Sequence, residues 1–371
     1  MTAPHLVIAA GGTGGHMFPA QALAQEALRR GWRVTLSTDP RGARYAGGFP
    51  AAVERRQTSS STFARGGIGA KLSAPFAILG GVAATASWFA KDRPSVVAGF
   101  GGYPSLPALS AATLLGVPRL IHEQNGVLGR VNRAFAPRVA AVACGTWPLS
   151  NPPSGATLVQ MGNPVRDDAL VAAETAYVPP AETGPLNLLV FGGSQGAAVT
   201  SRVVPEAIGL LPDDLRARLT LTQQVRDEDM ERVRARYGEL GVTADLAPFF
   251  ACMPERIADA QLVIARAGAS TIAELTAIGR PSILIPYPSA MDDHQTANAR
   301  PLGDAGAAVL APETGPDPLT AESLSAQIAA ILSDPARASS MAAAAKGLGR
   351  PTAAADLADL ALRIMNREPI T

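Results

Sequence analysis

The 371-residue chain is 47% apolar and 17% charged, which excludes a disordered polymer and supplies material for two cores at roughly 100–200 residues per domain. Its 32 Lys and Arg against 31 Asp and Glu leave no basic excess of the kind a general nucleic-acid binder needs, so no nucleic-acid partner is expected. The two cysteines, Cys144 and Cys252, form neither a disulfide framework nor a metal-ligand spacing, which fits a reducing cytosol.

In chain order, residues 5–10 read as a first strand rather than a signal peptide, because no basic segment precedes them. They lead into Gly11-Gly12-Thr13-Gly14-Gly15-His16 and a helix over 18–30 that Gly31 stops. Glycines let the backbone approach an anion, and the helix start adds N–H groups and a positive dipole end. A dinucleotide fingerprint wants a third glycine where Met17 stands, although Asp39 follows the second strand (33–37) at the place of a ribose-binding acid. A dehydrogenase therefore stays open on this loop alone. His16, beside such a loop, is either a hydrogen-bonded structural residue or a base for a hydroxyl proton.

Residues 72–90 carry no charge and reach the lower length of a spanning helix, but Ser73, Pro75, Gly80, Gly81, Thr85 and Ser87 dilute them. A helix on a domain surface is expected, with Pro75 in its first turn. Phe76, Ile78, Leu79, Trp88 and Phe89 then face a core or a membrane surface, with Arg65, Lys71, Lys91 and Arg93 nearby for anionic lipid.

Strands follow at 95–99, 119–122 and 139–143, and strands alternating with helices predict a parallel sheet covered on both faces. Gly99-Phe100-Gly101-Gly102-Tyr103-Pro104-Ser105 and His122-Glu123-Gln124-Asn125-Gly126 sit at strand ends, where runs of polar or glycine residues suggest a site. The domain boundary is placed near 162–164, giving domains at 1–163 and 164–345 and a C-terminal helix over 346–371 that either closes the second domain or packs back on the first. Arg166 at that hinge is either a surface charge or a diphosphate ligand.

The second half repeats the opening: a strand at 186–191 runs into Gly192-Gly193-Ser194-Gln195-Gly196, so Gly11, Gly12 and Thr13 superpose on Gly192, Gly193 and Ser194. This duplication predicts an α/β protein of two Rossmann-like, doubly wound parallel-sheet domains facing across a cleft, with ligands beyond the carboxyl ends of the strands. The strand at 262–265 precedes Arg266-Ala267-Gly268-Ala269-Ser270-Thr271-Ile272-Ala273-Glu274. There Glu274 suits a ribose diol, or Ser270 with Glu274 is ordinary helix-start chemistry. Asp292-Asp293-His294-Gln295 follows the strand at 283–286. Asp227-Glu228-Asp229 spells the metal-diphosphate DxD, yet acidic residues heading a helical stretch over 227–237 are expected anyway, and no metal site is assigned. Residues 321–332, 335–345 and 353–365 read as helices without chemistry.

Seven segments in order, GGTGGH at 11–16, GFGGYPS at 99–105, HEQNG at 122–126, GNPVR at 162–166, GGSQGA at 192–197, RAGASTIAE at 266–274 and DDHQTANA at 292–299, resemble the MurG family of peptidoglycan N-acetylglucosaminyltransferases. The resemblance implies a GT-B fold and inverting transfer of GlcNAc from UDP-GlcNAc to the C4 hydroxyl of MurNAc in lipid I, giving lipid II. It implies a peripheral enzyme on the cytoplasmic face of the bacterial inner membrane, with cell-wall synthesis and division proteins as partners. No cofactor is required, and any divalent cation is nonessential. By position it implies that Thr13, Gly14 and Gly15 approach the donor sugar or acceptor diphosphate; for catalysis in such a transfer His16 is the candidate base for the acceptor hydroxyl, with Asn125 as an alternative orienting group. Asn125 would contact GlcNAc, Arg166 and Ser194 the donor, and Glu274 its ribose. Ala269, Ser270, Thr271, Ile272 and Ala273 would line the nucleotide site, Gln295 would hold the sugar, and the Phe250 backbone would meet uracil. His16, Tyr103, His122 and Glu123 are the acceptor candidates.

The sequence departs from the family's HQTGK-like segment at Thr222-Gln223-Gln224-Val225-Arg226 and from its acidic FIDDM-like segment at Phe249-Phe250-Ala251-Cys252-Met253. The helix after Pro75 carries fewer basic residues than is usual for the membrane-docking face. The alternatives are another lipid acceptor, an epimerase of the same fold, for which acid and base groups are not identified, or a nonenzymatic nucleotide-sugar-binding scaffold.

Overall fold

The computed structural model describes residues 3–44, 46–58, 68–193 and 196–370; Arg65, Ser194, Gln195 and the side chains of Lys71, Pro75 and Phe76 lie outside the described residues. The chain divides into two compact units, Met1–Arg166 with Arg350–Thr371, and Asp167–Gly349.

Unit 1 runs β1 (His5–Ala9), α1 (Gly14–Arg29), β2 (Arg33–Thr38), β3 (Glu54–Gln57), α2 (Ile68–Lys91), β4 (Val96–Gly99), α3 (Leu106–Leu114), β5 (Arg119–Glu123), α4 (Arg130–Phe135), β6 (Val142–Cys144) and β7 (Leu158–Gln160). Unit 2 runs α5 (Asp167–Ala172), β8 (Leu186–Phe191), α6 (Ala198–Gly209), α7 (Asp213–Arg216), β9 (Leu219–Gln224), α8 (Met230–Glu239), β10 (Ala244–Ala247), α9 (Met253–Asp259), β11 (Leu262–Ala265), α10 (Ala269–Ile278), β12 (Ser282–Leu284), α11 (His294–Asp304), β13 (Ala308–Leu310), α12 (Ala321–Leu332) and α13 (Pro335–Leu348). The last helix, α14 (Ala353–Met365), belongs to unit 1.

The central strands are mostly apolar because both faces of a parallel sheet are covered. Leu6 and Ile8 of β1 join one core with Met17 and Leu23 of α1 and Leu357, Ala361 and Ile364 of α14. Val7 and Ala9 point the other way, into a core with Phe89 of α2 and Leu109 of α3. Unit 2 repeats this: Leu188 and Val190 of β8 pack with Val204 and Ile208 of α6, Leu189 and Phe191 with Ile257 of α9 and Leu275 of α10.

The sheets have the orders β3-β2-β1-β4-β5-β6-β7 and β10-β9-β8-β11-β12-β13, and the paired strands are parallel throughout. In each, successive crossovers run outward from one point, between β1 and β4 and between β8 and β11. At such a switch point the loops after the two central strands diverge and open a crevice for a ligand.

Three elements differ from expectation. The first helix begins at Gly14 rather than Phe18, because the glycines adopt helical geometry after an extended Thr13 (φ −140°, ψ 163°) instead of breaking it. The α2 helix begins at Ile68, so Pro75 is inside it and not in its first turn. The acidic triplet forms a 3-10 turn, Asp227–Asp229, that leads into α8. On α2, Phe89 is buried, Ile78 and Trp88 are half-buried and Leu79 is 64% exposed; the Arg56 guanidinium lies 4.5 Å from the Trp88 ring centre. Among the described residues no helix is long and apolar enough to cross a membrane.

Candidate active site

At the unit 1 switch point the loop after β1 turns through Gly12 at φ +87°, a left-handed value that favours glycine. A Cβ on Gly11 would lie 2.7 Å from both Asp39 Oδ1 and Pro104 Cγ, so only glycine lets the ends of β1, β2 and β4 meet. The Asp39 carboxylate, 2% exposed, is taken up in this junction. Its Oδ1 accepts from the N–H groups of Gly12 (3.2 Å) and Gly42 (2.8 Å), and its Oδ2 accepts from Arg41 Nε (3.0 Å). The ribose-binding reading of Asp39 is thereby corrected: the acid shapes the glycine loop and has no room for a diol.

His16, half-buried in the first turn of α1, has Nδ1 3.1 Å from the Gly11 carbonyl oxygen. A carbonyl only accepts, so the proton sits on Nδ1 and Nε2 carries the lone pair. Gly102, at φ +72°, packs against this ring; a Cβ there would stand 3.4 Å from His16 Cε1. Thr13 and Gly15 are exposed at the helix start, and Tyr103 is half-buried in the 3-10 turn beside Gly102. Arg166 places its guanidinium carbon 4.6 Å from the Phe18 ring centre, and the Phe18 ring lies against buried Gly14. The structure thus brings Thr13, Gly14, Gly15, His16, Tyr103 and Arg166 to the ends of β1 and β4.

The polar run that ends β5 and enters the following loop faces inward. His122, Glu123 and Gln124 are buried and only Asn125 is half-exposed. His122 donates from Nε2 to the Gly162 carbonyl (3.1 Å), its ring stacks 5.3 Å from Phe100, and burial pushes its pKa down to about 4. Glu123 accepts four N–H groups: Asn125 N (3.2 Å) and Asn125 Nδ2 (3.1 Å) at Oε1, Gly129 N (2.9 Å) and Asn132 Nδ2 (2.9 Å) at Oε2. Direct acceptor contact by His122 and Glu123 is therefore corrected to support from beneath. Gln124 Nε2 donates to the Phe100 carbonyl (3.1 Å), which ties this loop to the glycines after β4. Asn132, which the sequence reading passed over, also donates to the His122 carbonyl (3.1 Å). Its signal is an amide on the buried face of a short helix, which must find partners.

In unit 2 the loop after β8 and the start of α10 flank the switch point. Gly192 donates its N–H to Gln224 Oε1 (3.0 Å), and Gln224 Nε2 donates to the Pro248 carbonyl (3.1 Å). The altered segment at 222–226 thus braces the glycine loop from the next strand. Helix α10 has Gly268 as its N-cap without a side-chain cap. Ala269, Thr271, Ile272 and Glu274 are buried, Ser270 and Ala273 half-buried. Arg266 lies beneath, donating to the carbonyls of Ile285 (3.1 Å) and Pro286 (3.2 Å) and pairing with Glu313 at 2.6 Å. Buried Asn298 of α11 donates to the Ala267 carbonyl (3.1 Å). Gln295 Oε1 accepts from the Tyr287 N–H (3.0 Å), which orients that side chain at the end of β12. Before it, Asp292 and Asp293 hold left-handed φ values of 53° and 50°. The Phe250 side chain is 7% exposed beneath Arg256, whose guanidinium carbon is 4.2 Å from the ring centre. Among the described residues no group of three or more His, Cys, Asp or Glu is placed to hold a metal ion.

Two doubly wound units, each with a glycine turn and helix start at its switch point, define the class: a nucleotide-sugar glycosyltransferase of the GT-B fold. Residues 6–144 match the glycosyltransferase family 28 N-terminal domain and residues 187–358 the family 28 C-terminal domain. The crystal structure of Acinetobacter baumannii MurG superposes with a TM-score of 0.77 at 30% identity, covering 97% of this chain and 99% of that one. The calicheamicin glycosyltransferase, 16% identical with a TM-score of 0.63 over 98% of this chain and 99% of its own, shares the fold. Two relatives are named UDP-N-acetylglucosamine--N-acetylmuramyl-(pentapeptide) pyrophosphoryl-undecaprenol N-acetylglucosamine transferase. That of Chelativorans sp. is 48% identical over 99% of this chain and 96% of its own, and that of Rhodopseudomonas palustris 49% over 98% of each. The chain belongs to this MurG family of N-acetylglucosamine transferases.

Proposed function

We propose that the protein transfers GlcNAc from UDP-GlcNAc to the C4 hydroxyl of MurNAc in lipid I, with inversion, to give lipid II. The observation that carries the chemistry is His16, whose Nδ1 is held by the Gly11 carbonyl at a switch-point glycine loop. Its Nε2 takes the proton of the acceptor hydroxyl as that oxygen attacks C1 of GlcNAc. The C1–O bond to the β-phosphate breaks, and UDP leaves with the electron pair. The N-terminus of α1, with Thr13, Gly14 and Gly15, receives acceptor diphosphate or donor sugar, and Asn125, oriented by Glu123, addresses GlcNAc. In unit 2, Glu274 takes the ribose, residues 269–273 and the Phe250 backbone the nucleotide, and Gln295 the sugar. Arg166, with the Ser194 loop and helix starts, stabilises the leaving diphosphate without an essential metal. This fits the acidic triplet, where Glu228 and Asp229 are engaged by arginines.

We place the enzyme peripherally on the cytoplasmic face of the inner membrane, with α2 and its exposed Leu79 as the apolar contact and cell-wall synthesis and division proteins as partners. The test is UDP release with UDP-GlcNAc and a short-chain lipid I analogue, with and without EDTA. Release that needs the acceptor, prefers GlcNAc over other UDP-sugars and survives EDTA is the expected result. Tight donor binding without release would assign another acceptor or a binding scaffold.

A further inference from the structure

The acidic triplet after β9 is left without a role by the reaction, although it has the spelling of a metal motif. Its neighbour Arg226 begins the 3-10 turn that carries it. The Arg226 stem lies on the glycine loop of the adjacent strand: a Cβ on Gly196 would be 2.8 Å from Arg226 Cγ and 3.5 Å from Cδ. The guanidinium then turns away from the loop. It donates from Nε (3.3 Å) and Nη2 (3.0 Å) to Asp229 Oδ2, and Nη1 pairs with Glu228 Oε1 at 2.9 Å. Asp229 is fixed from the far side by Arg232 at 2.8 Å, which itself donates to the Ser201 carbonyl of α6 (3.1 Å). Gly196, at φ +66°, precedes α6 by one residue, Ala197. The stem therefore covers the turn that aims the first N–H groups of α6, and the salt-bridged chain returns to the same helix.

We infer that Arg226 is a positioning residue for the donor diphosphate: its stem clamps the Gly196 turn against the start of α6, and Glu228 and Asp229 are the latch that holds the clamp. Two features make this the sensible use of the charge. A guanidinium committed to two carboxylates is a poor free anion ligand but a rigid anchor, because its planar fork fixes geometry at several bonds. The turn at Gly196 needs such an anchor, since a glycine at φ +66° has no side chain of its own to hold it. Gln224 braces Gly192 at the other end of the same loop, so the end of β9 and the residue two beyond it hold the loop at both ends.

The inference rests on UDP being the ligand of this loop. UDP affinity is therefore measured by calorimetry alongside steady-state kinetics with UDP-GlcNAc and the lipid I analogue. Arg226→Ala is expected to weaken UDP and raise the UDP-GlcNAc KM about tenfold, with kcat and the acceptor KM within about twofold. Arg226→Met, which keeps an apolar stem, retains most of the affinity, and Asp229→Asn loses about threefold with no sensitivity to EDTA. Unchanged UDP affinity in Arg226→Ala overturns the clamp. So does Arg226→Lys restoring affinity while Arg226→Met matches alanine, because charge and not the stem would then act. EDTA weakening UDP binding by the wild type but not by Asp229→Asn would overturn the latch in favour of a metal. If Arg226→Ala does not fold, Arg226→Met and Asp229→Asn decide the matter by the same readouts. Wild-type protein that binds UDP but does not use lipid I refutes the proposed reaction and leaves the clamp testable.

Discussion

Lowering the pH should unlock unit 1 at His122. The imidazole is buried, and burial depresses its pKa from an ordinary 6.5 to about 4. A base held neutral in the fold contributes stability that is complete above pH 6.5, where both states are neutral, and is lost as pH falls toward 4, where only the unfolded chain has taken up the proton. The full difference of about 2.5 units corresponds to about 3 kcal/mol, and between pH 7.5 and pH 5 roughly 2 kcal/mol is lost. All three tryptophans, Trp32, Trp88 and Trp147, lie in unit 1, so tryptophan fluorescence during urea unfolding reads this unit alone. Comparing wild type with His122→Gln, which keeps a donor for the Gly162 carbonyl, cancels the other titrating groups. The wild type should lose about 2 kcal/mol more than the variant over that interval. Parallel pH dependences in the two proteins would refute the reasoning, whatever their absolute stabilities.

His16→Ala should lower kcat by about 10²–10⁴-fold while the UDP-GlcNAc KM stays within twofold; equal turnover removes His16 as the base. Glu123→Gln puts an amide N–H against two of the four donors now bound by the carboxylate. It should cost about 2–4 kcal/mol of unit 1 stability by fluorescence and about 10²-fold in kcat, and a fully active variant would show that Asn125 needs no such hold. Arg280, 1% exposed, donates to the carbonyls of Ala258 (2.9 Å), Ile278 (3.1 Å) and Thr175 (3.1 Å). Arg280→Met should lower the thermal stability of unit 2 by about 3 kcal/mol, seen in far-UV dichroism, with UDP affinity intact at low temperature; an unshifted melt contradicts this.

The architecture was legible where a residue's surroundings are set by a parallel sheet. Apolar runs such as Leu188–Phe191 and Leu262–Ala265 fit strands covered on both faces, and the glycines that follow within three residues mark the turns into helices. The recurrence of that unit located both central strands. Side-chain direction was harder to read. His122, Glu123 and Gln124 form a polar run at a strand end that suggests a site, yet the structure turns them inward, because Gly162, Asn132 and Phe100 supply partners from other segments. Asp39 was misread for the same reason: its partners at Gly12 and Gly42 exist only once β1 and β2 are paired. The start of α1 escaped because glycine is a helix breaker by propensity, and here the sheet fixes the entry angle.

The route of the chain bears on how the protein is made. Unit 2 is one continuous stretch, whereas the core around Leu6 and Ile8 is completed by Leu357, Ala361 and Ile364 of α14, synthesised after all of unit 2. During translation the first unit to emerge is thus the last to finish folding: α1 covers part of that face of its sheet, and the rest waits for α14 while the second unit is made and can fold at once. A stop codon just before Ala353 would remove no proposed site residue, yet would leave that part of the face open and make the newborn chain a client for chaperones.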